Sequence, residues 1–217
     1  MTLSPKEASR LTREICGLAP IVPVLVIEDV STARPLAEVL VAGGLPALEV
    51  TLRTPDALEA IRAMSGVPGG HVGAGTLITP EDVRAAKAAG AAFGVSPGAT
   101  DELLAACDAE QLPLLPGAAT ATEAMRLLAR GYGMLKFFPA EASGGAPALK
   151  AIGAPLPQIT FCPTGGISPA NAENYLSLSN VLCAGGSWVA PKDLIAAGNW
   201  DGIELLARQA AQLGGST

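Results

Sequence analysis

The sequence predicts an α/β fold, a (β/α)8 barrel preceded by one helix, with residues 1–217 forming a single domain. Three observations lead there. Apolar, strand-like runs alternate with helical segments in roughly eight repeats, which implies a parallel sheet with helical crossovers. No linker, low-complexity stretch or change of composition divides the chain. No Gly-x-Gly-x-x-Gly follows the first strand, which leaves an open doubly wound sheet as the second choice.

Residues 4–17 read as a helix, with Ser4 as its cap, Pro5 at the first helical position and Glu7 placed for a capping box. The run 21–27 (IVPVLVI) is apolar and β-branched and reads as the first strand. A helix over 31–41 follows, closed by Gly43 and Gly44. The same alternation places strands over 48–52, 72–76, 93–96, 113–115, 134–138, 159–162 and 181–184. Helices fall at about 55–64, 80–89, 101–109, 122–130, 146–152, 169–178 and 201–212.

Composition narrows the function. Hydrophobic residues make up 49% of the chain and aromatics only 4%, so the core is built from Ala, Leu, Val and Ile, as packed helices and parallel strands require. The formal net charge is -6, which argues against a nucleic-acid or anionic-membrane partner, and any anion must be held by a local site. The first residues lack the pattern of a secretory signal, and no apolar run is long enough to span a bilayer. Cys16, Cys107, Cys162 and Cys183 show no Cys-x-x-Cys spacing and read as reduced core residues of a cytoplasmic protein. His71 is the only histidine, so a zinc site built on several histidines is excluded within one chain.

The stretch from Met134 to Pro139 places a lysine, Lys136, inside an apolar strand. A buried ammonium is costly unless it is paired or gives up its proton, and a neutral lysine amine is a nucleophile toward carbonyl carbon. On the strand 48–52, alternation sets Glu49, Thr51 and Arg53 on one face and Leu48, Val50 and Leu52 on the other. In a barrel the apolar set faces the helices, so the polar set points inward. Met134, Lys136 and Phe138 share a face by the same rule, and Lys136 can meet Glu49 across the interior. Two readings stand at this point: a structural ion pair, or a Schiff-base amine with a carboxylate that moves protons for it. Arg53 adds a cation and a forked donor for a substrate carboxylate.

Pro163-Thr164-Gly165-Gly166 and Gly185-Gly186-Ser187 end the seventh and eighth strands, where barrels often hold phosphate; tight turns alone would account for either. Gly73-Ala74-Gly75-Thr76 and Ser96-Pro97-Gly98 are small-residue strand ends that leave room for a ligand, or simple turns into helices. Trp188 and Phe138 read as packing. Glu141, Lys150, Lys192 and Asp193 read as surface charges, and Glu28 and Asp29 as solvated.

The runs 48–54 (LEVTLRT), 73–76 (GAGT), 96–98 (SPG), 136–145 (KFFPAEASGG), 161–171 (FCPTGGISPAN) and 181–188 (VLCAGGSW) resemble the 2-keto-3-deoxy-6-phosphogluconate (KDPG) aldolase family, which includes 4-hydroxy-2-oxoglutarate (KHG) aldolases. The resemblance spans nearly the whole chain with its motifs in order. It implies a class I aldolase that yields pyruvate and glyceraldehyde 3-phosphate from KDPG, needs no metal or other cofactor, and forms a homotrimer. The same chemistry on the 6-phosphogalactonate epimer or on KHG is the alternative. Carried over, Lys136 is the Schiff-base lysine and Glu49 the proton-transfer residue. Arg53 and Thr76 hold the pyruvate carboxylate beside Pro97. Thr164 bears on stereochemistry at C4, and Gly165, Gly166, Gly186 and Ser187 hold the phosphate. Ala99 stands where many relatives carry a bulkier apolar residue, which loosens the expected pocket wall.

Overall fold

Residues 2–214 are described by the computed structural model, in which every paired strand runs parallel to its neighbour. The strands are β1 (Ile21–Leu25), β2 (Ala47–Thr51), β3 (His71–Gly75), β4 (Phe93–Val95), β5 (Leu114–Leu115), β6 (Gly117–Ala118), β7 (Met134–Phe137), β8 (Thr160–Pro163) and β9 (Ala184–Gly186). The helices are α1 (Pro5–Cys16), α2 (Val30–Ala42), α3 (Ala57–Ser65), α4 (Pro80–Ala88), α5 (Asp101–Ala109), α6 (Ala121–Arg130), α7 (Gly145–Gly153), α8 (Ala172–Leu176), α9 (Lys192–Ala196) and α10 (Trp200–Ala210).

The expected eight-stranded barrel is recorded as a curled parallel sheet in two parts, ordered β5-β4-β3-β2-β1-β9 and β6-β7-β8. The chain itself explains one division. β5 falls within the expected fifth strand (113–115), and Pro116, with no N–H to give a ladder, separates it from β6, a strand the sequence did not suggest. The Pro116 carbonyl still accepts from Lys136 N at 2.9 Å, so β7 stays in register beside it. At the other division β8 and β9 approach through the isolated pairs Phe161–Val181 and Thr164–Gly185. The last strand is also later than the sequence suggests, because Ala184 and Gly186, not Val181, register with Ile21 and Pro23 of β1.

Two clusters fill the interior. The larger packs the outer faces of the strands, including Leu48, Val50, Leu135 and Phe137, against α2, α3 and α10 residues such as Leu36, Ile61 and Ile203. The smaller gathers Val22, Ala47, Phe93, Val95, Leu115, Met134 and Cys162 from the inner faces of six strands, with Cys16 from the end of α1 and Cys183. The alternation expected on β2 and β7 therefore holds. All four cysteines are free and buried. Hydrogen bonding with Cys16 and then Cys162, with burial behind them, holds the Cys183 thiol well above its ordinary range, and burial pushes Cys107 up to about 12.

Local signals are partly as expected. Ser4 caps α1 by accepting from Glu7 N at 3.3 Å, but the Glu7 side chain turns to Arg10, leaving half of a capping box. Asp29 is exposed, as expected, and in addition caps α2, accepting from Ser31 N at 2.8 Å; its carboxyl is held below the usual range by the Ser31 hydroxyl and amide. The helix expected over 169–178 is reduced to the five residues of α8, and α9 was not expected. Among the described residues no helix is long and apolar enough to cross a membrane.

Candidate active site

Glu49 on β2 and Lys136 on β7 cross the concave side of the sheet and meet, with Lys136 Nζ donating to Glu49 Oε1 at 3.1 Å. Lys136 is 5% exposed and Glu49 3%. Desolvating each ion costs several kcal/mol, and an apolar pair of similar volume often serves stability as well or better. Stability alone therefore gives little reason to place this pair here, and chemistry gives a good one. The Phe138 ring, read from sequence as packing, lies 5.2 Å from Nζ and adds the attraction of its π face.

Arg53 leaves the end of β2 exposed to solvent, and its Nε donates to Thr76 Oγ1 at 3.3 Å. Thr76 is held at φ 64°, a left-handed backbone that a β-branched residue adopts at a cost of about 1–3 kcal/mol. The strain turns the Thr76 hydroxyl toward Arg53. Among the described residues no carboxylate forms an ion pair with Arg53, so its fork is open to an incoming anion. Below this corner Thr51 Oγ1 donates to Leu25 O at 2.9 Å, and Thr54 Oγ1 donates to Ile27 O at 2.5 Å, tying the end of β2 to the chain leaving β1.

A cavity of about 200 Å³ opens where β1, β2, β7, β8 and β9 end. Arg53, Thr164, Gly165, Gly166 and Ser187 line it together with Phe138 and Gly185. Gly165 at φ 103° and Gly166 at φ 79° form a turn that L side chains rarely adopt. The ends of β8 and β9 thus bring both expected phosphate loops to one mouth. Lys136, Glu49 and Thr76 do not line it: Lys136 and Glu49 stand earlier on β7 and β2 and meet the wall through Phe138, whose ring is 5.2 Å from Lys136 Nζ, and Thr76 is reached through Arg53. A larger open groove of about 710 Å³ runs between α7 and α8, but it holds none of these residues, and Tyr175 Oη donates to Glu141 within it.

A family model for KDPG and KHG aldolase matches residues 12–206. The chain belongs to the KDPG and KHG aldolase family. The 2-dehydro-3-deoxy-phosphogluconate aldolase of Pseudoalteromonas atlantica is 53% identical over 92% of this chain and 93% of the relative. The crystal structure of the 2-keto-3-deoxy-6-phosphogluconate aldolase of Zymomonas mobilis with 3-phosphoglycerate superposes with a TM-score of 0.88 at 49% identity, covering 94% of this chain and 96% of that one. The KDPG aldolase of Legionella pneumophila, solved with pyruvate captured at low pH as a covalent carbinolamine, also gives 0.88, at 48% identity over 92% of this chain and 97% of that one.

In this KDPG and KHG aldolase family member not every expected residue reaches the cavity wall. Gly186 is buried, and a Cβ there would meet the Trp188 ring at 1.9 Å, so its role in this chain includes seating that ring. Pro97 is exposed, with its carbonyl close against Gly117. Ala99 lines a separate cavity of about 190 Å³ with Asp101, Arg126 and Arg130, away from the expected pocket wall. Gly185 lines the cavity as part of the expected Gly185-Gly186-Ser187 loop, whereas Phe138, read as packing, and Val24 and Val26 are lining residues to which the sequence assigned no site role. Phe138 shares the inward face with Lys136, and that alternation was the available signal.

Proposed function

We propose that this chain is a class I aldolase that cleaves KDPG to pyruvate and glyceraldehyde 3-phosphate. The observation that carries the reading is the buried Lys136–Glu49 pair at 3.1 Å, against the Phe138 ring that lines the cavity, in a chain of this family. Lys136 passes a proton to Glu49 and, now neutral, attacks the C2 ketone, forming an N–C2 bond and a carbinolamine whose hydroxyl leaves as water with the proton that Glu49 returns. The resulting iminium draws in the electron pair of the C3–C4 bond. Glu49 accepts the C4 hydroxyl proton as that bond breaks, the aldehyde departs, and an enamine remains. Protonation at C3 and hydrolysis release pyruvate and return the free amine.

Positioning comes from both ends of the substrate. Arg53 and Thr76 take the carboxylate, and Gly165, Gly166 and Ser187 take the phosphate, with Gly186 behind them seating Trp188, so the scissile bond is held over the amine. Thr164 stands between these ends and faces C4. The inner side-chain cluster and the Thr164–Gly185 pairing support a closed (β/α)8 barrel formed by the two sheet parts, in one domain. A homotrimer is the assembly that the family resemblance supports. The free, buried cysteines support a cytoplasmic setting.

Borohydride reduction in the presence of pyruvate tests the chemistry. A single reduced adduct mapped to Lys136 is the expected product; an adduct on Lys150 or Lys192, or none, would overturn the assignment. Substrate preference tests the phosphate end, because the family also covers KHG. KDPG and its 6-phosphogalactonate epimer should be turned over with higher kcat/KM than unphosphorylated KHG. Ser187→Ala should cost about 10- to 100-fold on the phosphorylated substrates, the scale of one hydrogen bond to a charged group, and leave KHG unaffected. Equal losses on all three would remove the phosphate pocket.

A further inference from the structure

The small residues at the end of β3 were read as room for a ligand, yet the space beside Gly75 is already filled. A Cβ built on Gly75 would lie 2.3 Å from Glu49 Oε1, 2.7 Å from its Cγ and 2.9 Å from its Cδ. All three nearest atoms belong to one side chain. Gly75 is absent from the positive-φ positions, so its backbone is one that any residue adopts. Glycine is therefore required here by space and not by conformation. The oxygen at 2.3 Å is the same Oε1 that receives the Lys136 ammonium hydrogen bond.

Register explains the approach. Thr51 pairs with Gly75 and Glu49 with Gly73, so the Glu49 side chain leans along its strand and comes to rest over the backbone of the next strand. Gly73 cannot take that role, because the Phe93 ring occupies its face at 2.5 Å. The device recurs across the mouth. A Cβ on Gly185 would stand 2.3 Å from Thr164 Oγ1, again without a positive φ at the glycine. In both cases a bare strand backbone forms the seat of a polar side chain from its neighbour.

We infer that Gly75 is a positioning residue for the reaction, its missing side chain fixing the Glu49 carboxylate within reach of Lys136 and of the substrate C4 hydroxyl. The inference rests on the aldolase reading above. Any side chain at 75 displaces Oε1 from its present place, because the strand backbone on either side is held in the sheet and the Glu49 side chain is the freer partner. Displacing a proton-transfer group by about 1 Å costs on the order of 10²-fold. The loss falls on proton transfer, and the sites that bind pyruvate are untouched.

A double-mutant cycle tests this. Gly75→Ala in the otherwise unaltered protein should lower kcat by about 10²-fold with little change in KM, and borohydride should still trap pyruvate on Lys136. In the Glu49→Gln background the same change should alter kcat less than about twofold, because the group it displaces no longer transfers protons. Equal losses in both backgrounds would overturn the inference, since a backbone or folding effect adds independently. Thermal unfolding supplies a second cycle should Gly75→Ala fold poorly. Glu49→Ala removes every atom nearest the new methyl, so the Gly75→Ala/Glu49→Ala pair should melt no lower than Glu49→Ala alone; a further drop would again overturn it. An unaltered protein that neither cleaves KDPG nor traps pyruvate would overturn the functional reading instead, while the unfolding cycle would still report on the seat.

Discussion

Lys136→Arg abolishes cleavage, with kcat falling by roughly 10⁵-fold or more, the scale on which losing a covalent nucleophile acts in other enzymes. Arginine is the informative replacement. It keeps a cation beside Glu49, so the carboxylate is not left buried without a partner, a fault that costs about 3–5 kcal/mol by itself. Its guanidinium stays protonated at any working pH and offers no lone pair to a ketone. The variant should therefore fold, show no borohydride-dependent adduct with pyruvate, and lose turnover of every substrate alike. Intact mass, thermal unfolding and steady-state kinetics together check it. Residual turnover within about a hundredfold of the unaltered enzyme would mean that the covalent step lies elsewhere, because general acid–base catalysis alone supplies about 10²- to 10⁴-fold.

Glu49→Gln separates proton transfer from covalent capture. Glutamine preserves the shape of the side chain over Gly75 and can still accept a hydrogen bond from Lys136 Nζ through its carbonyl oxygen. It cannot take the C4 hydroxyl proton as the C3–C4 bond breaks. The expected outcome is a loss of about 10²- to 10⁴-fold in kcat while pyruvate remains trappable on Lys136. Single-turnover measurements should find both iminium formation and C3–C4 cleavage slowed, with trapping by borohydride still reaching completion on longer incubation. An unchanged kcat would remove Glu49 from the reaction, and loss of the adduct would recast it as the group that keeps the amine reactive. Lys136 and Glu49 touch each other, so the two substitutions should be far from additive.

The buried Lys136–Glu49 pair was legible because a strand has a period of two. Leu48 and Val50 fix which face of β2 meets the helices, and Glu49 is then obliged to turn inward; Leu135 and Phe137 do the same for Lys136. The repeated alternation of strand and helix likewise foretold a parallel α/β sheet. Element ends were less legible. A further strand, β6, follows the fifth beyond Pro116, the last begins at Ala184, and the helix expected over 169–178 keeps five residues, because tertiary packing and register set such limits. Asp29 could be seen as a charge near the mouth, but only the start of α2 at Val30 makes it a cap.

By itself, the sequence determined the chemistry available to this protein: one lysine buried in an apolar strand, one carboxylate turned to meet it, an arginine at the strand end and glycine turns late in the chain. Each follows from local pattern, and the order of the motifs matches one family. The tertiary structure decided which atoms share space. Gly75 reads as an ordinary small residue until the register of β2 against β3 lays Glu49 over it, and Gly186 until the Trp188 ring covers it. Thr76 shows no strain in the sequence, yet it is held at φ 64° facing Arg53. Such contacts join residues far apart along the chain, and no local periodicity encodes the distance between them.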